Sequence, residues 1–186
     1  LVAKTVADVT VEFTKLRTEA DNLTGLTGEA LNQVVTSAKG IADTFGGEYT
    51  DVLRSANTLA NEFGITQKEA LDLIGEGFIN GANASGEFLD QLREYPAQLR
   101  EAGYTAQDTI DIINATGKAG IFSDKGIDTI KEANLKLKDG NKATLEALNV
   151  IGLNGEAIQK ALQDGSQTTK DVLADVGKAI AKLPEN

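Results

Sequence analysis

The sequence predicts an all-α fold, an irregular bundle of about nine short helices. Apolar residues recur at helical spacing along most of the chain, and no segment sustains the apolar–polar alternation of a strand. The 186 residues include 19 Gly but only 2 Pro, a composition typical of many short helices that end at glycine. Because only 5% of the residues are aromatic, aliphatic side chains must fill the core.

Residues 1–23 are predicted to form an amphipathic helix ahead of a globular helical module at residues 24–186. The apolar residues of this helix alternate in steps of four and three, which is the spacing of a coiled-coil seam. They are Val2, Val6, Val9, Phe13, Leu16, Ala20 and Leu23. Two interpretations stay open: a coiled coil that continues upstream, and an amphipathic helix that packs on the module.

Two helices are expected next. The first opens with a glycine, an apolar residue and a cap at residues 25–31, Gly-Leu-Thr-Gly-Glu-Ala-Leu. Gly40 to Gly47 is predicted to be a flexible break. Thr50 is then predicted to cap a helix with a 3.6-residue apolar stripe, which ends at Gly64.

An internal repeat follows, with its two copies 39 residues apart. Residues 64–74, Gly-Ile-Thr-Gln-Lys-Glu-Ala-Leu-Asp-Leu-Ile, return at residues 103–113 as Gly-Tyr-Thr-Ala-Gln-Asp-Thr-Ile-Asp-Ile-Ile. In each copy an acidic residue lies three places after a threonine, the signature of a capping box. The pairs are Thr66 with Glu69 and Thr105 with Asp108. Each copy is therefore predicted to begin a helix in the same way.

Short helices are expected around these two copies. Residues 81–86 are predicted to form a loop before a helix at 87–95, which Pro96 breaks because proline has no N–H to donate. At the end of the second copy, Ile121 and Phe122 are expected to fill the core from a turn. The last helices are predicted near residues 124–138, 145–151 and 169–183, and another is predicted to follow the opening at residues 152–158 and to end near Gly165.

Charge and residue types limit the function. The net charge of −10 leaves no basic footprint for nucleic acid, whose binding depends on neutralising phosphates. The absence of Cys and His excludes thiolate and imidazole metal ligands and every Ser-His or Cys-His nucleophile. No apolar run approaches the ~20 residues that span a bilayer. Because the chain contains no Met, we expect it to be a segment of a longer protein.

Local motifs predict no catalytic, cofactor-binding or metal-binding residue, and therefore no enzyme and no cofactor. The glycines at 75–81 and Gly86 lack the Gly-Lys-Ser/Thr of a phosphate loop and are interpreted as helix caps and hinges. The remaining candidates are interpreted as solvated carboxylates and a turn with a cap. They are the pairs Asp90 with Glu94 and Glu29 with Asp43, and the segment Asp139-Gly140-Asn141 with Glu146.

Several runs of the chain resemble bacteriophage tail tape measure proteins, and together they cover roughly residues 23–183. They are loose helix-and-cap patterns rather than catalytic signatures. The runs are residues 63–74, 77–83, 87–95, 102–110, 119–122, 130–133, 138–148 and 169–183.

The resemblance implies a structural module of a tail tape measure protein, from a phage, a prophage or a contractile injection system. Such proteins set tail length during assembly, and the resemblance extends to a role in genome delivery. Implied partners are the tail tube protein, tail assembly chaperones and baseplate or tail-tip proteins, with membrane contact during infection. Self-association through residues 1–23 is expected from the coiled-coil spacing. The implied location is the tail lumen of the virion, and the host cytoplasm during assembly. The alternative is a generic helical protein–protein interaction module.

Overall fold

The computed structural model describes residues 6–121 and 125–184, and side chains from residue 10 onward within these ranges. Every regular element in these ranges is an α-helix, which confirms the predicted all-α bundle of short helices. There are eleven helices in this part of the chain rather than about nine. They are α1 (Val6–Thr24), α2 (Gly28–Phe45), α3 (Tyr49–Phe63), α4 (Gln67–Ile79), α5 (Phe88–Glu94), α6 (Pro96–Glu101), α7 (Ala106–Lys118), α8 (Lys125–Asp139), α9 (Lys142–Val150), α10 (Gly155–Asp164) and α11 (Thr169–Ile180).

The main core lies around α3, which packs against α2, α4, α5 and α6. The core extends from Ala20 on α1 to Ile127 on α8. Its largest fully buried side chains are aliphatic apart from Phe88, as the low aromatic content predicts. They are Val35, Val52, Leu53, Leu59, Leu71, Ile74, Phe88, Leu92, Leu99, Ile110 and Ile127.

The C-terminal half of α1 packs on this core. Ala20 is fully buried, Leu16 packs beside it, and the Tyr49 hydroxyl donates a hydrogen bond to the Leu16 carbonyl at 2.9 Å. One turn earlier Phe13 is 41% exposed. The docked-helix interpretation therefore describes α1 from Leu16 onward. The side chains of Val2, Val6 and Val9 lie outside the described residues, so the coiled coil and the boundary after residue 23 stay predictions.

The flexible break predicted at Gly40–Gly47 is wrong for residues 40–45, because α2 runs without interruption through Gly40 to Phe45 and ends only at its C-cap Gly46. One face of α2 is buried against the core from Leu31 to Ala42. A glycine inside a helix costs about 1 kcal/mol relative to alanine, which the burial of several aliphatic side chains outweighs.

The predicted Thr50 cap is also wrong, because α3 begins at Tyr49 after Glu48, whose side chain makes no capping bond. Tyr49 is buried, and its hydroxyl is bound to α1. Burial, followed by the charge of Glu19, raises the pKa of Tyr49 to about 12. The start of α3 is thus held by the contact of Tyr49 with α1 rather than by a local side-chain cap.

The two copies of the repeat form helices of 13 residues each, α4 and α7, which pack against each other. Both predicted capping boxes are confirmed. In α4 the Thr66 N–H donates to the Glu69 carboxylate at 2.8 Å and the Glu69 N–H donates to the Thr66 hydroxyl at 3.2 Å. The helices that follow the copies differ, with 7 residues in α5 and 15 in α8, so the repeat does not extend to a regular solenoid.

The prediction that the turn after α7 fills the core is wrong for Ile121 and stays a prediction for Phe122. Ile121 is 45% exposed, and Phe122 lies outside the described residues. Ile127, on the first turns of α8, occupies the core instead.

A second, smaller hydrophobic cluster joins the C-terminal helices. Its buried members are Leu137 of α8, Leu148 of α9 and Val172 of α11, with Ile158 and Leu162 of α10 packed against them. Because α8 contributes to both clusters, it connects the main core to the C-terminal helices.

Candidate functional surfaces

The glycines of α4 serve packing rather than ligand binding. Gly75 and Gly77 lie inside the helix, so the interpretation of the cluster as caps and hinges is wrong for these two. A Cβ on Gly77 would lie 2.4 Å from Cζ of Phe88 and 3.2 Å from Cγ2 of Ile110. The absent side chain lets the Phe88 ring lie directly against the α4 backbone. That ring meets Phe78 edge-on at 5.1 Å between centroids.

The four candidate carboxylates are exposed, and Asp90 and Asp43 lie in surface ion pairs. Asp90 pairs with Arg93, which also contacts Asp51 at 2.5 Å. Glu29 and Asp43 occupy opposite ends of α2, roughly 21 Å apart at 1.5 Å per residue. This separation is far beyond the spacing of a glycosidase pair, roughly 5–9.5 Å.

The segment Asp139–Asn141 is a turn followed by a cap, as predicted. The Asn141 side chain accepts a hydrogen bond from the Thr144 N–H at 3.1 Å, and its amide donates to Asp139 at 3.1 Å. Glu146 pairs with Lys142 at 3.6 Å. Each polar group therefore has a structural partner.

Neither a metal centre nor a membrane span is found in the described ranges. No group of three or more Asp or Glu residues is arranged to hold a metal ion there. Among the same residues, no helix combines the length and apolar character needed to cross a bilayer.

A shallow, largely apolar groove lies between α2 and α4. Gly40 and Gly75 line the groove and have no side chains to fill it. Ile41 is half-buried in the groove, and Ile79 at its end is 74% exposed. Glu76 on the rim is exposed. The groove offers apolar contact area bordered by the carboxylates of Asp72 and Glu76.

The most connected polar contact joins the α6–α7 turn to the first turn of α11. The Lys170 N–H donates to the Ala102 carbonyl at 2.9 Å, and its ammonium group lies 2.6 Å from the Asp108 carboxylate and 5.7 Å from the centre of the Tyr104 ring. Burial alone would raise the pKa of Asp108, but hydrogen bonds from Lys170 and Thr105 outweigh it and lower the pKa. The hydrogen bond to Asp108 raises the pKa of Lys170 in turn.

This contact is not predicted from the sequence, although part of its signal is local. Thr168 and Asp171 form a third capping box, with 2.8 Å from the Thr168 N–H to the Asp171 carboxylate. The Thr-x-x-Asp spacing predicts that capping box. The Lys170–Asp108 pair joins residues 62 positions apart, so no local sequence pattern predicts it.

Comparison with known proteins identifies the family. Residues 3–186 match the family described as phage-related minor tail protein. The comparisons with curated proteins and with solved structures gave no match. Since the family match spans nearly the whole chain, the chain belongs to the phage-related minor tail protein family.

Proposed function

We propose that the chain is a structural module of a tail tape measure protein, which acts in tail length determination and tail assembly. The observation that carries the proposal is the family match, whose range contains the runs of the chain that resemble tape measure proteins. The phage tail family covers residues 3–186, and the runs that resemble tape measure proteins extend over roughly residues 23–183.

The character of the fold supports the proposal. A ruler needs helices, because a helix has a fixed rise of about 1.5 Å per residue. Most of the described residues are helical, and several polar groups singled out in the sequence are engaged in a cap or an ion pair, namely Glu69, Asn141 and Asp90. We therefore propose a non-enzymatic role.

Residues 1–23 are proposed to belong to the extended part of the protein and residues 24–186 to its globular module. Phe13 supports this division, because it belongs to the predicted seam but lies 41% exposed where α1 leaves the core. We propose that this face of α1 mediates self-association.

The proposed partners are the tail tube protein, tail assembly chaperones and baseplate or tail-tip proteins. The proposed locations are the tail lumen and, during assembly, the host cytoplasm, with a part in genome delivery and envelope contact on infection. The family membership supports a partner among tail proteins.

Cross-linking of intact virions tests the location. A lysine-reactive cross-linker combined with mass spectrometry is expected to join exposed lysines of this chain, such as Lys68 and Lys178, to the tail tube protein. An impermeant lysine-reactive reagent applied to intact tails labels only their exterior. It should therefore leave the same lysines of this chain unmodified. Modification of these lysines in intact tails would contradict a place in the lumen.

A further inference from the structure

The C-terminal helices form a unit with its own apolar cluster. The C-terminal unit consists of α9, α10, α11 and the end of α8 from Asn134. Leu137, Leu148 and Val172 are buried inside it, whereas Ile127 and Ile130 at the start of α8 belong to the main core. Each cluster therefore has apolar contacts of its own, and α8 is the helix that they share.

Contacts inside the C-terminal unit fasten α11 to α8. The Thr169 hydroxyl donates to the Asn134 amide oxygen at 2.6 Å, and both side chains are buried. Val172, one turn further along α11, is fully buried in the second cluster. A displacement of the unit can keep these contacts, because all of them lie within it.

The contact between α11 and the α6–α7 turn has a different character. It consists of Lys170, with its bonds to the Ala102 carbonyl and the Asp108 carboxylate, and of Thr168. The side chains of Lys170 and Asp108 are 40% and 28% exposed, so water and salt compete for their ion pair. Polar contacts of this kind break at lower cost than buried apolar ones.

Gly103 makes the close approach of the two segments possible. Its φ of +92° favours glycine, and a Cβ at this position would lie 2.4 Å from Cβ of Thr168. The α6–α7 turn and the first turn of α11 thus fit together only because Gly103 lacks a side chain.

We propose that Thr168 and Lys170 form a latch on the α6–α7 turn, and that the C-terminal unit opens from the main core as a body when this latch releases. The opening is accommodated along α8, between Ile130 in the main core and Asn134 in the unit. In the preceding turn the Thr129 hydroxyl bonds back to the Lys125 carbonyl at 2.8 Å, an interaction that often bends helices. This inference concerns the fold itself and is independent of the proposed role in the tail.

Distance measurement between spin labels tests the latch. Because the chain has no Cys, cysteines introduced at the exposed positions Asn61 of α3 and Gln163 of α10 would carry all of the label. The wild-type background is expected to give one dominant distance. Lys170→Glu places a carboxylate opposite Asp108 and is expected to add a longer distance, with the ratio of open to closed molecules raised about tenfold.

A matched control distinguishes the loss of the latch from a general effect of the charge change on α11. Lys178→Glu makes the same charge change on α11, where it removes the exposed pair with Asp175, and is expected to leave the distance unchanged. In the first turn a carboxylate favours the helix dipole, so Lys170→Glu does not weaken α11 itself, whereas Lys178→Glu in the last turn does. A distance distribution for Lys170→Glu that equals the wild type, or a longer distance in both variants, would overturn the proposal.

Hydrogen exchange distinguishes opening from local unfolding. In Lys170→Glu the amides of α10 and of α3 are expected to keep their wild-type protection, while the amide of residue 170 loses the bond to Ala102 and exchanges faster. Faster exchange throughout α9 and α10 would mean that the unit unfolds, and would refute its opening as a body.

Discussion

At the scale of single residues, two glycines on α4 show how burial decides the role of a missing side chain. Around Gly77 the Phe88 ring and Ile110 occupy the space that a Cβ would take. Around Gly75 the nearest atoms, from Ile41, lie 3.9 Å away, an ordinary contact distance. Neither position has the positive φ that would strain a substitution.

Alanine substitutions at these two positions are expected to change stability in opposite directions. Gly77→Ala must displace the buried Phe88 ring and should destabilise the protein by about 1–3 kcal/mol. Gly75→Ala should stabilise it by about 0.5–1 kcal/mol, because alanine loses less conformational entropy in a helix. Chemical denaturation measures both free energies of unfolding. Equal effects of the two substitutions would contradict the packing role of Gly77.

The Glu69 carboxylate gives the fold a local dependence on pH. Hydrogen bonds from the Thr66 N–H and hydroxyl lower the pKa of Glu69 from its ordinary value of 4.5. A lowered folded-state pKa adds stability that is present above pH 4.5 and is lost as the pH falls through the folded-state value.

Glu69→Gln keeps the capping acceptor but removes this titration. We expect its Tm to lie below that of the wild type at pH 7 and the difference to close in acid, below the folded-state pKa of Glu69. As a control, Glu76→Gln removes the same charge from the last turn of α4, where the helix dipole disfavours it, and should raise the Tm at pH 7. A Glu69→Gln difference that is constant from neutral pH to pH 3 would exclude the titration of this carboxylate as its cause.

At the scale of elements, features that depend on neighbouring residues could be predicted from the sequence. Features that depend on contacts between distant segments could not. The caps at Thr66 and Thr105 follow from spacing alone, because each partner lies three residues away. The continuity of α2 through Gly40 depends on a buried face that only the assembled bundle defines. The role of Gly77 depends on a ring 11 residues later and on a side chain of α7. Such positions cannot be predicted from the sequence near them.

The face of α1 tests whether the predicted seam associates with a second copy. Phe13 lies on the seam, whereas Val11 lies off it, and both are exposed at 41% and 55%. Phe13→Gln is therefore expected to leave the fold intact but to lower the fraction of dimer or higher oligomer, and Val11→Gln is expected to leave it unchanged. Analytical ultracentrifugation measures both. A monomeric wild-type chain, or equal behaviour of the two variants, would rule out self-association through this seam.

At the scale of the whole molecule, the proposed tape measure role joins a ruler helix to a packed module. In the predicted division after residue 23, the extended part determines the length of the tail, and the globular part makes the assembly contacts. If the division holds, added residues should lengthen the tail only where they extend the helix. The loop at residues 81–86 provides the contrasting position, because it lies within the module and connects α4 to α5.

Tail length in virions is the most direct test of the proposed tape measure role. An insertion of six helical heptads ahead of Val6, in the phage that encodes the chain, is expected to lengthen the tail by roughly 63 Å at 1.5 Å per residue. The same insertion in the loop at residues 81–86 should leave the length unchanged. Electron microscopy of negatively stained particles gives both lengths. Tails of wild-type length from the first insertion, with the altered protein present in the particles, would contradict the account.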